Sequence, residues 1–370
     1  MVEFDVVIVG AGPAGATAAI ILAQRDHKVL LIDAEAMPRE GTSAGWLNAR
    51  AAPMLKELGV SSRPLLDCAF RHVTFFNEDF SKQAKPSFEE SPGYLVDRVQ
   101  FANALVKSAE KTGVKVAAGS PVAELRHHET SVEAIIAGGK SVSGRLLLFA
   151  AGRISPLLEQ TGIPVDSGRD AMWTAQVDAV SSPAKGKTEP HVAVVLGLDR
   201  TAGFAFCAVS RSRVSVAINW LGDRAQAIPQ LVRICKALFD NQTLPVDLTE
   251  RARDCRVVQT PTAGALDMDS HVGKNTLLIG DAGGFVTAAG NEGLYPAMWS
   301  ARIASDVVSA ALTSKHSQDE LMTFEAKWRT TMADYLRSPN TDLQFLLPLI
   351  FSNQPMADRM GAAFFSGENI

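Results

Sequence analysis

The chain lacks the features that mark several large protein classes. It has four cysteines, Cys68, Cys207, Cys235 and Cys255, and no two are close enough for C-x-x-C. That excludes a zinc knuckle and a thioredoxin-type redox pair, and isolated thiols of this kind are expected to be mostly buried, in a reducing compartment. No Lys/Arg cluster is present, and a net charge of -4 with a pI near 6.0 gives no drive toward nucleic acid. The seven histidines are scattered, and the adjacent His127 and His128 point apart on a β run, so no metal site is expected. No apolar run reaches the length of a membrane span. The first residues read as a strand, because Glu3 and Asp5 sit where a signal peptide is basic. Internal repeats, low-complexity tracts and long linkers are missing too. A cytoplasmic protein is expected. The greasiest stretch, residues 345–351 (FLLPLIF), contains a proline. It reads as a helix packed on the body, with a lip for a lipophilic substrate or a peripheral membrane contact as the alternative.

What is present can bury a core. The chain is 46% apolar and 21% charged, and its 370 residues suit two interleaved domains better than one. Residues 5–9 lead into a buried parallel strand, 14–24 read as a helix and 28–32 as the next strand, a βαβ unit. A helix follows at 49–58, a strand at 72–76, a polar loop at 77–93, a helix at 99–112 with Asp97 as its cap, and a strand at 114–117. Short β runs fill 121–144, and 146–150 is a continuous apolar strand. Residues 171–220 are all β, with strands at 173–180, 191–196, 204–209 and 214–220. A helix at 224–240, a buried strand at 276–279 and helices from Leu294 onward complete the chain. The expected class is α/β with an α+β second domain. A Rossmann-like dinucleotide-binding domain of residues 1–70, 94–170 and 255–312 interleaves with an antiparallel β-sheet substrate domain of 71–93 and 171–254. Residues 313–370 form a helical C-terminal segment.

Residues 10–15, GAGPAG, match G-x-G-x-x-G between a strand and a helix, the context that gives the pattern meaning. Gly10 permits the tight turn, Gly12 lets backbone approach a pyrophosphate, and Gly15 lets the helix press onto the strand. Pro13 and Ala14 open the helix, whose N-terminus offers unpaired N–H groups to phosphate. Asp33 ends the second strand, 21 residues after Gly12, beside Ala34; its carboxylate suits the two hydroxyls of an adenosine ribose. The fingerprint serves FAD or NAD equally. Further segments favour FAD. Arg98, at a helix start after a strand-like YLV, can bind a pyrophosphate through two parallel hydrogen bonds. Residues 148–153 end a buried strand in small residues, Ala151 and Gly152 among them. Residues 277–285 (LLIGDAGGF) deliver Gly280 and Asp281 at a strand's carboxyl end, where Asp281 can reach a ribityl chain. Gly290, Asn291, Glu292, Gly293 and Leu294 then open a long helix, whose positive end favours negative charge on a reduced flavin. Val122 completes the expected cofactor set.

These segments together resemble the family containing para-hydroxybenzoate hydroxylase and, more closely, the geranylgeranyl reductases. The resemblance covers roughly residues 5–310. It rests on GAGPAG, on Asp97-Arg98, on the Ala150 to Gly152 strand end and on GDAGGF running to NEGL. It implies Arg98 on the FAD phosphate or ribityl region, Asp281 on the ribityl chain and residues 290–294 near the flavin ring. It also implies that Arg39, Ser43 and Ala44, in the PRE and SAG segments, pass near the flavin. The chain departs from the pattern in several places. Gly284, Phe285, Ala288 and Ala289 stand where the hydroxylases place a histidine and a proline, and Ala151 stands for their aspartate. Ser43 falls where the reductases often have cysteine, and residues 203–207 (GFAFC) replace their tyrosine–tryptophan motif. No W-x-W-x-x-P run of the flavin-dependent halogenases is present.

FAD would carry the redox chemistry. No second G-x-G-x-x-G appears, so NAD(P)H would dock only transiently as electron donor. The expected activity is a reductase or dehydrogenase acting on a carbon–carbon bond of an apolar small molecule, under a roof of Trp46, Phe204, Phe206 and Trp220. The alternatives are a monooxygenase using NAD(P)H and oxygen, and an electron-transfer flavoprotein without catalysis. The residues name neither a catalytic acid or base nor an oligomeric state.

Overall fold

The computed structural model describes residues 2–38, 45–61, 68–165, 172–180, 189–199, 203–211, 213–338 and 343–368. Arg39, Ser43 and Ala44 lie outside the described residues.

The chain opens with the βαβ unit. Strand β1 (Phe4–Val9) leads into helix α1 (Pro13–Ala23), and β2 (Val29–Ile32) lies parallel to β1, with Val6 opposite Val29 and Val9 opposite Ile32. Apart from Asp5, these strands read as continuous apolar runs because both faces of the sheet are covered. The strands β3 (Trp46–Asn48) and β4 (Cys68–Phe70) flank α2 (Ala51–Glu57). Next come β5 (His72–Phe76), β6 (Gln83–Ala84) and β7 (Gly93–Leu95). β7 pairs antiparallel with both β3 and β4, in a small sheet that the sequence does not reveal, since three residues are too few to carry a period. Helix α3 (Arg98–Lys111) is capped by Asp97, whose carboxylate accepts from the Val99 and Gln100 N–H groups. Then β8 (Lys115–Ala117) adds to β2. A meander of β9 (Val122–His127), β10 (Val132–Ile136) and β11 (Ser141–Phe149) brings the chain back parallel to β1.

The chain then leaves for the second sheet through β12 (Met172–Val180), β13 (His191–Leu198), β14 (Gly203–Val209) and β15 (Arg213–Trp220). Helices α4 (Ala227–Asp240) and α5 (Thr249–Arg253) follow, then β16 (Val257–Thr260). The strand order is β16-β12-β15-β14-β13-β5-β6, antiparallel except for β13 beside β5. The sequence pattern groups residues from 255 onward with the first sheet, but β16 pairs with β12. Its short amphipathic run has no local mark of which sheet it will join. The strands β17 (Val272–Gly273) and β18 (Thr276–Leu278) complete the first sheet in the order β17-β18-β11-β1-β2-β8, with β10 and β9 branching from β11.

Helix α6 (Leu294–Thr313) packs on α1, and α7 (Ser317–Leu336) packs on α6. Helices α8 (Leu343–Ile350) and α9 (Gln354–Ser366) cover part of the second sheet. That sheet has two unlike faces. One packs Ala175, Val177, Val216 and Ile218 against Leu231, Ile234 and Leu238 of α4. The other packs Phe204, Phe206, Val194 and Leu196 against Trp46, Phe70 and the α9 residues Phe364 and Phe365. In α8, Leu346 and Ile350 are buried in that cluster, while Phe345 and Leu349 stay 76% and 48% exposed. No described helix is long and apolar enough to cross a membrane. Cys68, Cys207 and Cys235 are buried free thiols, and burial pushes the last two well above the usual thiol range.

Candidate functional site

At the end of β1 the chain must reverse at once into α1. Gly10 does this at a φ of +106°, and a side chain there would collide with the Ala150 carbonyl at the end of β11. Gly15 presses α1 onto the same turn, where a Cβ would overlap the Gly10 carbonyl oxygen. Gly12 is different. It is the N-cap of α1, and a Cβ there would meet nothing within 4 Å. Gly152, past the end of β11, also faces open space. No protein packing requires a bare backbone at Gly12, but a phosphate resting on a helix N-terminus does.

Asp33 braces this turn from within. It is 5% exposed; one carboxylate oxygen accepts the Ala11 N–H at 2.6 Å and the other accepts the Glu35 N–H at 2.9 Å. The opposite wall is built by the Gly280–Gly283 turn after β18. Gly280, at a φ of +59°, lies so close to α1 that a Cβ would sit 2.7 Å from the Ala14 methyl. His271 holds this turn from behind. It is fully buried, its Nε2 lies 2.8 Å from the Gly283 carbonyl, and its Nδ1 lies 3.1 Å from Glu325 on α7. Burial pushes the Glu325 carboxyl up, but the hydrogen bond and charge of His271 outweigh it and hold the group below its ordinary value.

One cavity gathers most of the expected residues. Gly12, Pro13, Ala14, Ala151 and Gly152 line it from the β1 and β11 ends, and Arg98 from the start of α3. Asp281, Gly290, Asn291, Glu292, Gly293 and Leu294 line it from the return segment, Trp46 from β3 and Phe204 from the second sheet. Gly10, Gly15, Gly280, Asp33, Ala34 and Val122 are not on its wall: the first four are packed into the turns, Ala34 is exposed, and Val122 packs against a separate core.

Trp220 is misplaced in the sequence reading. It shares a strand with the roof but points away, into the α4 core, where its indole N–H donates to the Asp223 carbonyl at 2.8 Å. The pleat alternates, so Asn219 faces the cavity in its place. Phe206 also stops short of the wall. It is fully buried between Trp46 and Phe364, near-parallel to each at 6.3 and 6.5 Å, and supports the roof from behind. Sequence reasoning misses Thr174, Asn219, Thr260, Pro261 and Val286, all cavity-lining. Period-two alternation groups Thr174 with its own strand's face, but only the pairing register brings these residues together.

Glu292 is the buried acid of the site, 4% exposed. Its Oε1 accepts the Tyr295 N–H at 2.7 Å and its Oε2 accepts the Tyr335 hydroxyl at 3.3 Å. Asn48 donates to the Tyr335 oxygen at 2.9 Å and to the Phe365 carbonyl, tying α7 and α9 to β3. Burial raises the Glu292 carboxyl to about 7; hydrogen bonds from the Tyr295 N–H, the Tyr335 hydroxyl and the Leu294 N–H and the positive charge of Arg98 hold it from rising further. Tyr335 is raised well above its ordinary value, by burial first and then by the charge of Glu292. The site thus holds, at the start of α6, a carboxyl poised between its charged and neutral forms.

The family described as FAD binding domain matches residues 3–338. A menaquinone reductase of Mycobacterium tuberculosis is 28% identical over 325 residues, 83% of this chain and 76% of that protein. A digeranylgeranylglycerophospholipid reductase of Methanococcus vannielii is 23% identical over 335 residues, 88% of this chain and 82% of that protein. Among solved structures, a geranylgeranyl bacteriochlorophyll reductase-like protein of Thermoplasma acidophilum superposes with a TM-score of 0.73 at 19% identity, covering 89% of this chain and 84% of that one. The chondrochloren halogenase superposes at 0.72 with 20% identity, covering 100% and 86%. Likeness at this level shows the shared fold.

Proposed function

The chain belongs to the FAD binding domain family, and from that membership we propose that it is a reductase or dehydrogenase of a carbon–carbon bond in an apolar, isoprenoid-like molecule. It is an FAD-dependent oxidoreductase, and relatives named as reductases span most of its length. One observation carries the reading. A single cavity joins the open helix start at Gly12, the Asp281 turn and the start of α6 to an aromatic wall of Trp46 and Phe204. The first three suit a flavin dinucleotide, and the last suits an apolar partner laid against it.

FAD, when bound, supplies two-electron transfer as hydride. Gly12 and the N–H groups of α1 would receive the pyrophosphate, Arg98 would add its positive charge, and Asp281 would accept from the ribityl chain. Gly290 to Leu294 line the cavity, and the positive end of α6 would stabilise negative charge on a reduced flavin held there. Glu292, poised near neutrality, holds or gives up a proton beside it. The aromatic roof excludes water from the reacting face.

The test is anaerobic. Purified protein is reduced with NADPH or NADH, or by light where neither serves, and mixed with unsaturated isoprenoid lipids or with oxygen. Reoxidation by an unsaturated lipid, yielding its saturated product, is the expected result. Incorporation of labelled oxygen into product would establish the monooxygenase instead, and an inert reduced flavin would leave an electron-transfer role.

A further inference from the structure

We propose that Asn219 holds a carbonyl-type oxygen of the substrate, so that the bond reduced here is conjugated to a carbonyl. This rests on the reductase reading above and narrows its substrate class.

Thr174, Asn219 and Phe204 form one row across three neighbouring strands, with Asn219 paired to Thr174 on one side and to Phe204 on the other. All three line the cavity. Asn219 is 7% exposed and Thr174 is 3% exposed. The Thr174 hydroxyl donates to the Asn219 Oδ1 at 3.0 Å, and Thr174 and Thr260 share a further bond at 2.9 Å. A hydroxyl has one proton, so with Thr174 donating to Asn219 the shorter bond takes the Thr260 proton, and the Met172 carbonyl, 3.4 Å from the Thr260 hydroxyl, is the weaker acceptor. The relay fixes the amide: its oxygen is taken, and its NH2 group is the part left for the cavity. Among the described residues the Asn219 Nδ2 has no hydrogen-bond partner, yet it is not sealed from the cavity.

An amide nitrogen that faces a cavity without a protein acceptor marks where a ligand's acceptor fits. A hydrocarbon alkene offers none. A carbonyl oxygen does, and the neighbouring surfaces of Phe204, Trp46 and Leu294 fit the flat apolar carbon framework attached to it. The chemistry agrees: a carbonyl conjugated to a carbon–carbon double bond makes its far carbon electron-poor, so that carbon would take hydride from reduced FAD and the near carbon a proton, leaving the bond saturated and the flavin oxidised. A donor at the oxygen is then worth more as charge develops there. Thr174 and Thr260 are positioning residues, acting through Asn219.

The experiment measures equilibrium binding to oxidised holoprotein of menadione and of 2-methylnaphthalene, which keeps the methylated ring skeleton but lacks the carbonyls. Wild type is expected to prefer menadione by about tenfold, the worth of one buried hydrogen bond. Asn219→Leu is expected to lose that preference, the ratio of the two affinities falling toward one. If Asn219→Leu fails to retain flavin, the double variant Thr174→Val with Thr260→Val, which frees the amide to turn, should narrow the preference at least about threefold. A preference that survives these substitutions, or a wild type that shows none, overturns the proposal. Failure of the reductase reading is seen separately, as a reduced protein that saturates the carbon–carbon double bond of neither an unsaturated lipid nor an enone. Equal rates on carbonyl-free lipids in wild type and Asn219→Leu would keep that reading and sink this one.

Discussion

The two bodies of the molecule build their halves of the site by different means. The first uses backbone: turns at Gly10 and Gly280 that no side chain could replace, a bare helix start at Gly12, and a brace from Asp33. The second uses side chains projected from a regular sheet, where neighbours such as Asn219 and Trp220 serve opposite faces. Backbone sites are written in short motifs, because each glycine answers a local steric demand. Sheet faces are written only in register, because any strand residue can occupy either face until its partners are known.

The sharpest break of this contrast is Gly15→Val. With the Gly10 carbonyl already in the way of a Cβ, the α1–β1 junction must open, and loss of folded protein or of more than about 3 kcal/mol is expected by chemical denaturation. Gly12→Ala is its companion, since its added methyl meets no protein atom. The melting curve of the apoprotein should hardly move, while FAD affinity falls by about tenfold, read by titration. If both variants behaved alike, the distinction between packing glycine and ligand glycine would be lost.

In the second body the largest effect is expected from Phe206→Ala. Removing a fully buried ring between Trp46 and Phe364 should cost about 3–5 kcal/mol in denaturant unfolding, although the residue does not touch the cavity.

Glu292, buried on the cavity wall, should leave a pH signature. Its native carboxyl titrates near 7, above the ordinary value of 4.5. Between those values the native state keeps a proton that the unfolded chain has lost, so this group's contribution to stability falls as pH rises from about 4.5 to 7, then levels. The difference between wild type and Glu292→Gln should change by on the order of 1–3 kcal/mol over that window, read as unfolding free energy at pH 5 and pH 8. A flat difference would place the proton elsewhere.

The smallest effect tests the corrected roof. Trp220→Phe loses one hydrogen bond, to Asp223, and should cost about 1 kcal/mol while leaving flavin and substrate affinities alone. A large loss of substrate binding would return Trp220 to the site.

Much of the first body is legible in the amino-acid order alone. The βαβ unit, the α3 cap at Asp97 and the turn after β18 each rest on residues adjacent in sequence. The three-stranded sheet of β3, β7 and β4 is not legible there, nor is the pairing of β16 with β12, because strands this short carry too little pattern to name a partner. Asp33 reads as a ligand group and is found engaged with the backbone of Ala11 and Glu35. A carboxylate at a strand end suits either role, and the chain alone does not say which donors arrive first.

By itself, then, the sequence determined a cofactor-binding chemistry, because glycines that relieve local clashes and helix ends that attract phosphate act over a few residues. It also determined that a mostly apolar antiparallel sheet would stand beside that chemistry. Only the tertiary structure decided which side chains of that sheet face the cofactor cavity, why Asn219 and Thr174 meet there and Trp220 does not, and how Glu292 comes to be buried against Tyr335. Those outcomes depend on strand register and on packing between segments far apart in the chain, where a shift of one residue exchanges the two faces.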